Sequence, residues 1–134
     1  GVNHGTKTAI NALQKIVGAG VDGVIGNDTV SHFNAKKPVW KTFAALMSAR
    51  SKLYSDIIAN KPSQKKWAGG WMNRIGEMTE IYVAAVRFEA DIEGNLLEAA
   101  NTARKMSIAI QSSSTIRSQS ATLFLQLSKK FRSL

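Results

Sequence analysis

Residues 39–59 read VWKTFAALMSARSKLYSDIIA and determine the fold class that the sequence predicts. Their large apolar side chains recur every three or four positions, which places them on one face of an α-helix. These side chains are Phe43, Leu46, Met47, Leu53, Tyr54, Ile57 and Ile58. Pro38 precedes the pattern, at a position that the first turn of a helix tolerates. We therefore expect a long helix from about residue 39 to 59.

Two shorter helices are predicted before this long one. Residues 6–17 carry apolar side chains at helical spacing and are followed by Gly18 and Gly20, which close the helix. Asn27 or Asp28 is expected to cap a second short helix, because both side chains accept hydrogen bonds from free backbone N–H groups. This second helix is expected to end before the next proline.

The second half of the sequence is also predicted to be helical. From Trp71 onward the apolar residues keep the three-and-four spacing, with Gly94 as the weakest position. Residues 111–120 are rich in serine, which indicates either a turn between two helices or a solvated helix face. No segment shows the two-residue alternation that is typical of strands. The sequence predicts an all-α protein, with a small helical domain over 1–76 and a long helical extension over 77–134.

The charged residues are unevenly distributed along a chain whose net charge is +9. Residues 1–75 hold 11 basic and 3 acidic side chains, whereas residues 76–98 hold six acidic side chains and one arginine. Residues 99–134 hold six basic side chains and no acidic one. Such blocks indicate either two parts of different character or acidic residues that pack beside basic ones in one fold. The excess of positive charge favours a polyanionic partner.

Several classes of protein and site are excluded by composition. The chain has no cysteine, so it forms neither disulfides nor thiolate metal sites. Its two histidines, His4 and His32, do not form a metal-spaced pair, and no serine lies in a G-x-S-x-G motif. No apolar run is long enough to cross a membrane, and no signal peptide is visible. We expect no metal and no cofactor.

Pairs of carboxylates are the remaining candidates for catalysis, because glycosidases use two of them. Glu77 and Glu80 are predicted to share one helix face, and so are Glu89 and Glu93. Such pairs are more typical of a solvated acidic face. We therefore assign no catalytic residue, although an active glycosidase through Glu77 or Glu80 stays open.

Two local motifs point to binding or to tight packing. In GVDGVIGNDT, residues 20–29, Asp22 is predicted to form a turn by bonding its own backbone, while glycines supply positive φ angles. Val21, Val24 and Ile25 are expected to be the apolar anchors of this segment. In WAGGW, residues 67–71, the two tryptophans have two interpretations. In the first, they form a platform for sugar rings, and Asn73 and Arg74 bond hydroxyls and carboxylates. In the second, Trp71 anchors the core while the glycines let helices approach closely.

Four motifs occur in a fixed order: GVNHGTKTAINALQ at 1–14, VDGVIGNDTV at 21–30, ARSKLY at 49–54 and WAGGWMNRI at 67–75. Over about residues 2–76 the chain resembles the C-terminal predicted peptidoglycan-binding module of glycoside hydrolase family 108. Members of that family are lysozyme-like N-acetylmuramidases of bacteria and their phages. The resemblance implies a module that binds the glycan strands of the cell wall.

The resemblance also assigns residues to roles. Asn3 and Gly5 match the junction with a preceding catalytic region, and Leu13 and Gln14 match a helix of the module. The structural turn is assigned to Asp22, Gly23, Gly26 and Thr29. Arg50 and Tyr54 match the family's R-x-x-x-Y helix, and Gly70, Trp71, Asn73 and Arg74 match its G-W-x-N-R element. Together with Trp67 of the aromatic platform, the candidates for contact with peptidoglycan are Arg50, Tyr54, Trp67, Trp71, Asn73 and Arg74.

The catalytic glutamate of the family lies in an N-terminal E-G-G motif that this chain does not contain. The nearest string, Glu93-Gly94-Asn95, is on the wrong side of the module. We therefore expect the chain to be the C-terminal part of a larger muramidase, exported or phage-delivered, that acts at the bacterial cell wall or periplasm. Its expected partners are peptidoglycan and a catalytic domain.

Two other functions stay open at the level of sequence. The basic composition is compatible with a helical nucleic-acid-binding domain, although clustered Arg and Asn on one recognition helix are lacking, and we expect no nucleic acid partner. Alternatively, residues 77–134 form an interaction or assembly module that binds a partner chain. The basic, amphipathic C-terminal segment also has a membrane-surface interpretation, although core packing explains its pattern better.

Overall fold

The computed structural model describes residues 5–86, 90–112 and 119–134. Over these residues the chain is helical and has no strand, which confirms the all-α prediction. The α-helices are α1 (Gly5–Val17), α2 (Asn27–Ala35), α3 (Val39–Asn60), α4 (Ala68–Ala85), α5 (Ala90–Ser112) and α6 (Ser120–Arg132). A 3-10 helix covers Pro62–Trp67, directly before α4. None of the helices in these three ranges has both the length and the apolar character that a membrane crossing needs.

The start of α2 differs from the prediction that Asn27 or Asp28 caps it. Gly26 is the N-cap residue, with an extended backbone and no side-chain capping bond, and Asn27 is the first helical residue. The carboxylate of Asp28 instead accepts a hydrogen bond from the backbone N–H of Gly20 at 3.0 Å. It also lies 3.2 Å from Nδ1 of His32. Asp28 therefore joins the preceding turn to α2 rather than capping the helix.

The continuous helical pattern predicted after Trp71 is interrupted. Helix α4 ends at Ala85, and Val86 has an extended backbone, although neither glycine nor proline stands there. Some predicted features lie outside the described residues, namely Asn3, His4, Arg87, Glu89 and the central part of the serine-rich segment.

The chain divides into two compact units, Gly1–Leu46 and Met47–Leu134. The first unit contains α1, α2 and the turn between them, and its α1 packs against α2. Val17 and Ala19, at the end of α1 and just after it, are buried. This division of the chain follows from how its residues pack. The predicted domain boundary after residue 76 follows instead from the extent of the family resemblance, and it stays a prediction.

In the second unit, α4 and α5 form a close antiparallel pair. A Cβ atom at Gly76 would lie 3.1 Å from the backbone oxygen of Ala100, so a larger residue here would need the two helices to move slightly apart. Near the other end of the pair, the hydroxyl of Ser107 donates to the backbone oxygen of Gly69 at 2.6 Å. Gly69 therefore allows close helix packing, as one interpretation of WAGGW predicts, whereas Gly70 faces open space.

Buried serines join α6 to the part of α3 that belongs to the second unit. The hydroxyl of Ser48 donates to the backbone oxygen of Ser128 at 3.1 Å, and the hydroxyl of Ser128 donates to the backbone oxygen of Ser48 at 3.0 Å. Ser55 donates in the same way to Ala121 at 2.8 Å. These small side chains bring the helices together, and each of the three serine hydroxyls has a partner, which avoids the cost of burying it unpaired.

The acidic segment pairs with basic residues of the same unit. Glu80 of α4 accepts two hydrogen bonds from Arg104 of α5, at 2.8 and 2.6 Å. Glu98 of α5 lies 3.0 Å from Nζ of Lys130 in α6. These contacts support the interpretation that the acidic and basic blocks compensate each other within one fold.

Candidate functional site

Gln14 organises the glycine-rich turn of the first unit. Its side chain is fully buried between α1 and the turn. The amide nitrogen Nε2 lies 2.9 Å from Oδ1 of Asp22, 2.9 Å from the backbone oxygen of Val24 and 3.0 Å from Oγ1 of Thr29. The amide oxygen accepts from the backbone N–H groups of Asp22 and Gly23 at 3.2 and 3.1 Å. One side chain thereby fixes the path of the whole turn.

Asp22 completes the turn from its exposed side. Its Oδ1 accepts from the backbone N–H of Val24 at 2.9 Å, which is the local contact predicted for a turn-forming aspartate. This bond and the one from Gln14 hold the pKa of the Asp22 carboxyl below its ordinary value. Gly23 has φ +75°, a left-handed conformation that favours glycine. Gly26 does not share this role, since its backbone is extended.

Four apolar side chains of the turn and of the first part of α2 are exposed. Val21, Val24, Ile25 and Val30 are 49%, 63%, 56% and 47% exposed, and Val30 belongs to α2. We call these four residues the apolar turn surface. Exposed polar side chains, among them Asp22 and Asp28, lie between them in the sequence. Large exposed apolar patches commonly mark interaction sites.

The core of the second unit contains a group of aromatic rings in contact with one another. Trp71 of α4 is 3% exposed, and its ring stacks on that of Tyr54 in α3 with centroids 4.7 Å apart. Phe124 of α6 meets Tyr54 edge-on at 6.0 Å. Two of the six predicted peptidoglycan contacts therefore need correction. Trp71 and Tyr54 are core residues, so neither ring offers a face on which a sugar can stack.

Arg50 lies one helical turn before Tyr54 and supports it. Its Nη2 donates to the hydroxyl of Tyr54 at 2.8 Å, and its guanidinium lies 5.7 Å from the centre of that ring. Arg50 is half-buried. These contacts describe a residue that positions the aromatic core; a role for it in ligand binding stays a prediction.

The accessible part of the predicted site lies at the start of α4. Trp67 is 51% exposed, and Nζ of Lys66 lies 5.3 Å from the centre of its ring. Gly70 is one turn further along, with open space where a side chain would stand. Asn73 and Arg74 follow, both half-buried, and Asn73 donates to Glu77 at 3.1 Å.

Gly70 and Arg74 lie four positions apart in α4, which places them on one face of the helix. Trp67 is the last residue of the 3-10 helix and directly precedes α4. We call Trp67, Gly70, Asn73 and Arg74 the α4 stripe. From Gly70 to Arg74 the helix rises by about 6 Å. The stripe offers an indole ring, an open position beside it, and amide and guanidinium donors beyond. Such groups suit a sugar, whose ring faces are apolar and whose edges carry oxygen atoms.

The carboxylates considered for catalysis make structural contacts. Glu80 accepts both of its hydrogen bonds from Arg104, and these bonds raise the pKa of the Arg104 guanidinium. Glu77 accepts from Asn73. In the part of the chain that the structure describes, no group of three His, Asp or Glu side chains is arranged to hold a metal.

Sequence reasoning missed two of these features. From the sequence, Gln14 was named only as part of a motif. Its position beside the apolar residues of α1, shortly before a glycine-rich turn, is a signal that could have indicated a buried amide. The apolar turn surface was missed because Val21, Val24 and Ile25 were interpreted as anchors that face inward. The structure places all three outward.

Comparison with known families matches residues 8–76, which are 69 of the 134 residues, to the family described as "Predicted Peptidoglycan domain". The matched range contains the glycine-rich turn, the stacked rings of Tyr54 and Trp71, and the α4 stripe. Comparisons with curated proteins and with solved structures found no match. The prediction of a peptidoglycan-binding module is thereby confirmed, whereas the narrower assignment to glycoside hydrolase family 108 stays a prediction.

Proposed function

The chain belongs to the family of predicted peptidoglycan domains, and we propose that it holds a lysozyme-like muramidase on the bacterial cell wall. The family match supports the binding of peptidoglycan and association with the cell wall. The link to a muramidase, and with it export or delivery by a phage, rests on the four motifs that resemble glycoside hydrolase family 108. In this proposal the chain binds the wall and the catalytic domain cleaves it.

We place the glycan contact on the α4 stripe, and the exposed indole of Trp67 carries this assignment. Half of the Trp67 side chain is accessible, while Trp71, four residues later, is buried. The open position at Gly70 lets a ring lie along the helix beside the indole. Asn73 and Arg74 then supply donors to the hydroxyl and acetamido oxygens of the next sugar.

Sedimentation with purified insoluble peptidoglycan tests this proposal. We expect the chain to be retained at moderate salt and Trp67→Ala to weaken retention about tenfold, equivalent to roughly 1.4 kcal/mol. Ile108→Ala is the matched control, because Ile108 is an apolar residue of α5 that is 66% exposed. The control should bind like the unchanged chain.

The two possible failures of this experiment have different meanings. If the unchanged chain is not retained, peptidoglycan binding is contradicted. If it is retained and Trp67→Ala binds equally well, the α4 stripe is not the glycan contact. Because Trp67 is exposed, we expect its substitution to leave the fold intact, which circular dichroism checks.

Clearing of a cell-wall suspension tests the link to a muramidase. We expect the chain alone, like its Glu77→Gln and Glu80→Gln variants, to clear nothing. Fused behind a lysozyme-like catalytic domain, it should raise clearing at low enzyme concentration, because a tethered binding module increases the local concentration of substrate. Fusion of the Trp67→Ala variant should lose this gain. Clearing by the chain alone would contradict the division of roles.

Nucleic-acid binding is the second candidate, and the net charge of +9 is the observation that favours it. Several cations are already paired within the second unit, among them Arg104 and Lys130. A gel-shift titration at two salt concentrations separates the two functions, because phosphate contacts give affinity that falls steeply with salt. Tight, salt-sensitive binding of DNA without retention on peptidoglycan would replace the proposed function.

A further inference from the structure

The segment around Trp67 carries positive charge that the proposed function does not explain. Residues 57–76 contain four cationic side chains and no carboxylate. The four are Lys61, Lys65, Lys66 and Arg74. They stand on both sides of Trp67 in the sequence, so the indole to which we assign the glycan contact lies in a segment of one charge sign.

The structure places one of these cations against the indole. Nζ of Lys66 lies 5.3 Å from the centre of the Trp67 ring, a distance at which an ammonium group is attracted to an aromatic face. Trp67 is 51% exposed with the lysine in this position, and Lys66 is exposed as well. The contact with the ring orients the ammonium group without neutralising its charge. A ligand that meets the indole therefore also meets this ammonium group.

The nearest carboxylates in the sequence bond to residues of their own helices. Asp56 lies 3.0 Å from the ammonium group of a lysine on α3, and Glu77 accepts a hydrogen bond from Asn73 on α4. Helix α5 packs against α4, and its residues 99–112 include no carboxylate. Among the ion pairs within the described ranges, none includes Lys66. The charge of Lys66 beside the indole is therefore uncompensated.

An exposed indole with an ammonium group beside it suits a ligand that has an apolar ring face and an anionic substituent. Of the two sugars in a glycan strand, only N-acetylmuramic acid has such a substituent, a lactyl ether that ends in a carboxyl group. In intact peptidoglycan an amide bond joins this carboxyl to the peptide stem, so the group is neutral. It is a free carboxylate wherever the stem has been removed.

We propose that Lys66 and Trp67 form a subsite for muramic acid whose lactyl carboxylate is free. The sugar ring stacks on the indole, and the carboxylate pairs with the ammonium group. This inference rests on the proposed function and adds a preference for glycan strands that have lost their peptide stems. A neutral sugar would use the indole alone, whereas a phosphate polymer without such a sugar would use the cations alone.

Two matched ligands isolate the contribution of the carboxylate. Glycan strands are freed of their stems with an amidase, and in one portion the lactyl carboxylates are converted to neutral methylamides. Each ligand is titrated into the ¹⁵N-labelled full chain, in which the indole N–H of Trp67 reports the contact. We expect the strands with free carboxylates to bind about fivefold more tightly at low salt, an effect of the size that an exposed ion pair supports. High salt should reduce the difference.

Substitutions of exposed lysines show which cation is responsible. Lys66→Gln should bind both ligands equally, and Lys66→Arg should keep the preference because it keeps the charge. Lys129→Gln is the matched control, since it removes one charge from an exposed position on α6. The preceding residue, Ser128, bonds to Ser48, which lies about 18 Å along α3 from the end that leads to the 3-10 helix. The control should keep the preference, and the ¹⁵N spectra report whether each variant is folded.

The possible failures separate this inference from the proposed function. Equal affinity of the unchanged chain for the two ligands overturns the inference and leaves the glycan contact standing. A preference that Lys66→Gln keeps, or that Lys129→Gln loses to the same extent, also overturns it. Tighter binding to poly(glycerol phosphate) than to the stem-free strands would assign the cations to a phosphate polymer.

Retention on insoluble peptidoglycan is measured beside the titrations. Retention without binding to either soluble ligand overturns the inference, because the stem would then be required. If the chain binds neither the soluble ligands nor insoluble peptidoglycan, the proposed function itself is contradicted.

Discussion

The glycine-rich turn of the first unit and the aromatic stack of the second unit bury opposite kinds of groups. The turn encloses the amide of Gln14 and exposes aliphatic side chains such as Val24. The stack encloses the rings of Trp71 and Tyr54 and leaves Trp67 exposed four residues earlier. In both regions some motif residues face inward, Gln14 in the turn and Trp71 and Tyr54 in the stack. The difference teaches that each motif contains residues that build the scaffold and others, such as Val24 and Trp67, that form the accessible surface.

The largest expected effect contrasts the two tryptophans of WAGGW. Trp71→Ala should lower the free energy of unfolding by about 3–5 kcal/mol, because a large ring is removed from the core. Trp67→Ala should change it by no more than about 0.5 kcal/mol, as is usual for surface substitutions. Urea unfolding of both variants measures the difference. Equal destabilisation by the two changes would contradict the contrast between a buried Trp71 and an exposed Trp67.

The next effect tests the polar interior of the turn. Gln14→Leu keeps the approximate volume of the side chain but leaves the N–H groups of Asp22 and Gly23 without their acceptor. We expect a loss of about 1–3 kcal/mol in unfolding free energy. Hydrogen exchange should become faster at these two amides. Gln126→Leu is the control, because Gln126 is exposed on α6, and it should have little effect. An unchanged exchange rate in the turn would show that Gln14 does not hold it.

A smaller effect is expected at the ion pair between α4 and α5. Glu80→Gln should cost about 1 kcal/mol or less, because both side chains are partly exposed and solvent screens them. The cost should shrink further at high salt. Lys52→Gln, which removes the more exposed pair with Asp56, should cost less still. If Glu80→Gln lowers the free energy of unfolding strongly, and by the same amount at low and high salt, the pair with Arg104 would behave as a buried contact and the expectation would be wrong.

The smallest effect concerns the pH dependence of the turn. Hydrogen bonds lower the pKa of Asp22 in the folded state, so the folded protein binds its proton less readily than the unfolded chain does. The stabilisation is present above the ordinary pKa of aspartate, about 4, and is lost as the pH falls through the lower folded value. In urea unfolding at a series of acidic pH values, Asp22→Asn should make the free energy of unfolding depend less on pH. If the free energy of unfolding of the variant falls with pH as it does in the unchanged chain, Asp22 does not contribute.

Periodicity predicted the all-α class and the bounds of α1 and α3 closely, because a helix whose apolar face is buried leaves a regular pattern in the sequence. It did not predict the end of α4 at Ala85, since no glycine or proline stands there. It also could not tell the exposed Trp67 from the buried Trp71. Only the packing of α4 against Tyr54 distinguishes them, and that contact joins residues far apart in the sequence.

The resemblance located the right segment but only part of the accessible surface. Asn73 and Arg74 are among the predicted contacts and belong to the α4 stripe. Val24 and Ile25 were expected to anchor the turn, because a sequence pattern does not reveal that a buried glutamine can take that role. Gln14 is polar and buried, while Val24 and Ile25 are apolar and exposed, so hydrophobicity alone misjudges these three positions.

The most direct test of the central claim compares binding isotherms of Trp67→Ala and Trp71→Phe on insoluble peptidoglycan, with both variants shown to be folded. If the inward-facing motif residues build the scaffold and the α4 stripe binds the wall, Trp67→Ala weakens binding about tenfold and Trp71→Phe changes it by about twofold or less. The reverse order, with Trp71→Phe losing affinity and Trp67→Ala keeping it, would contradict the account.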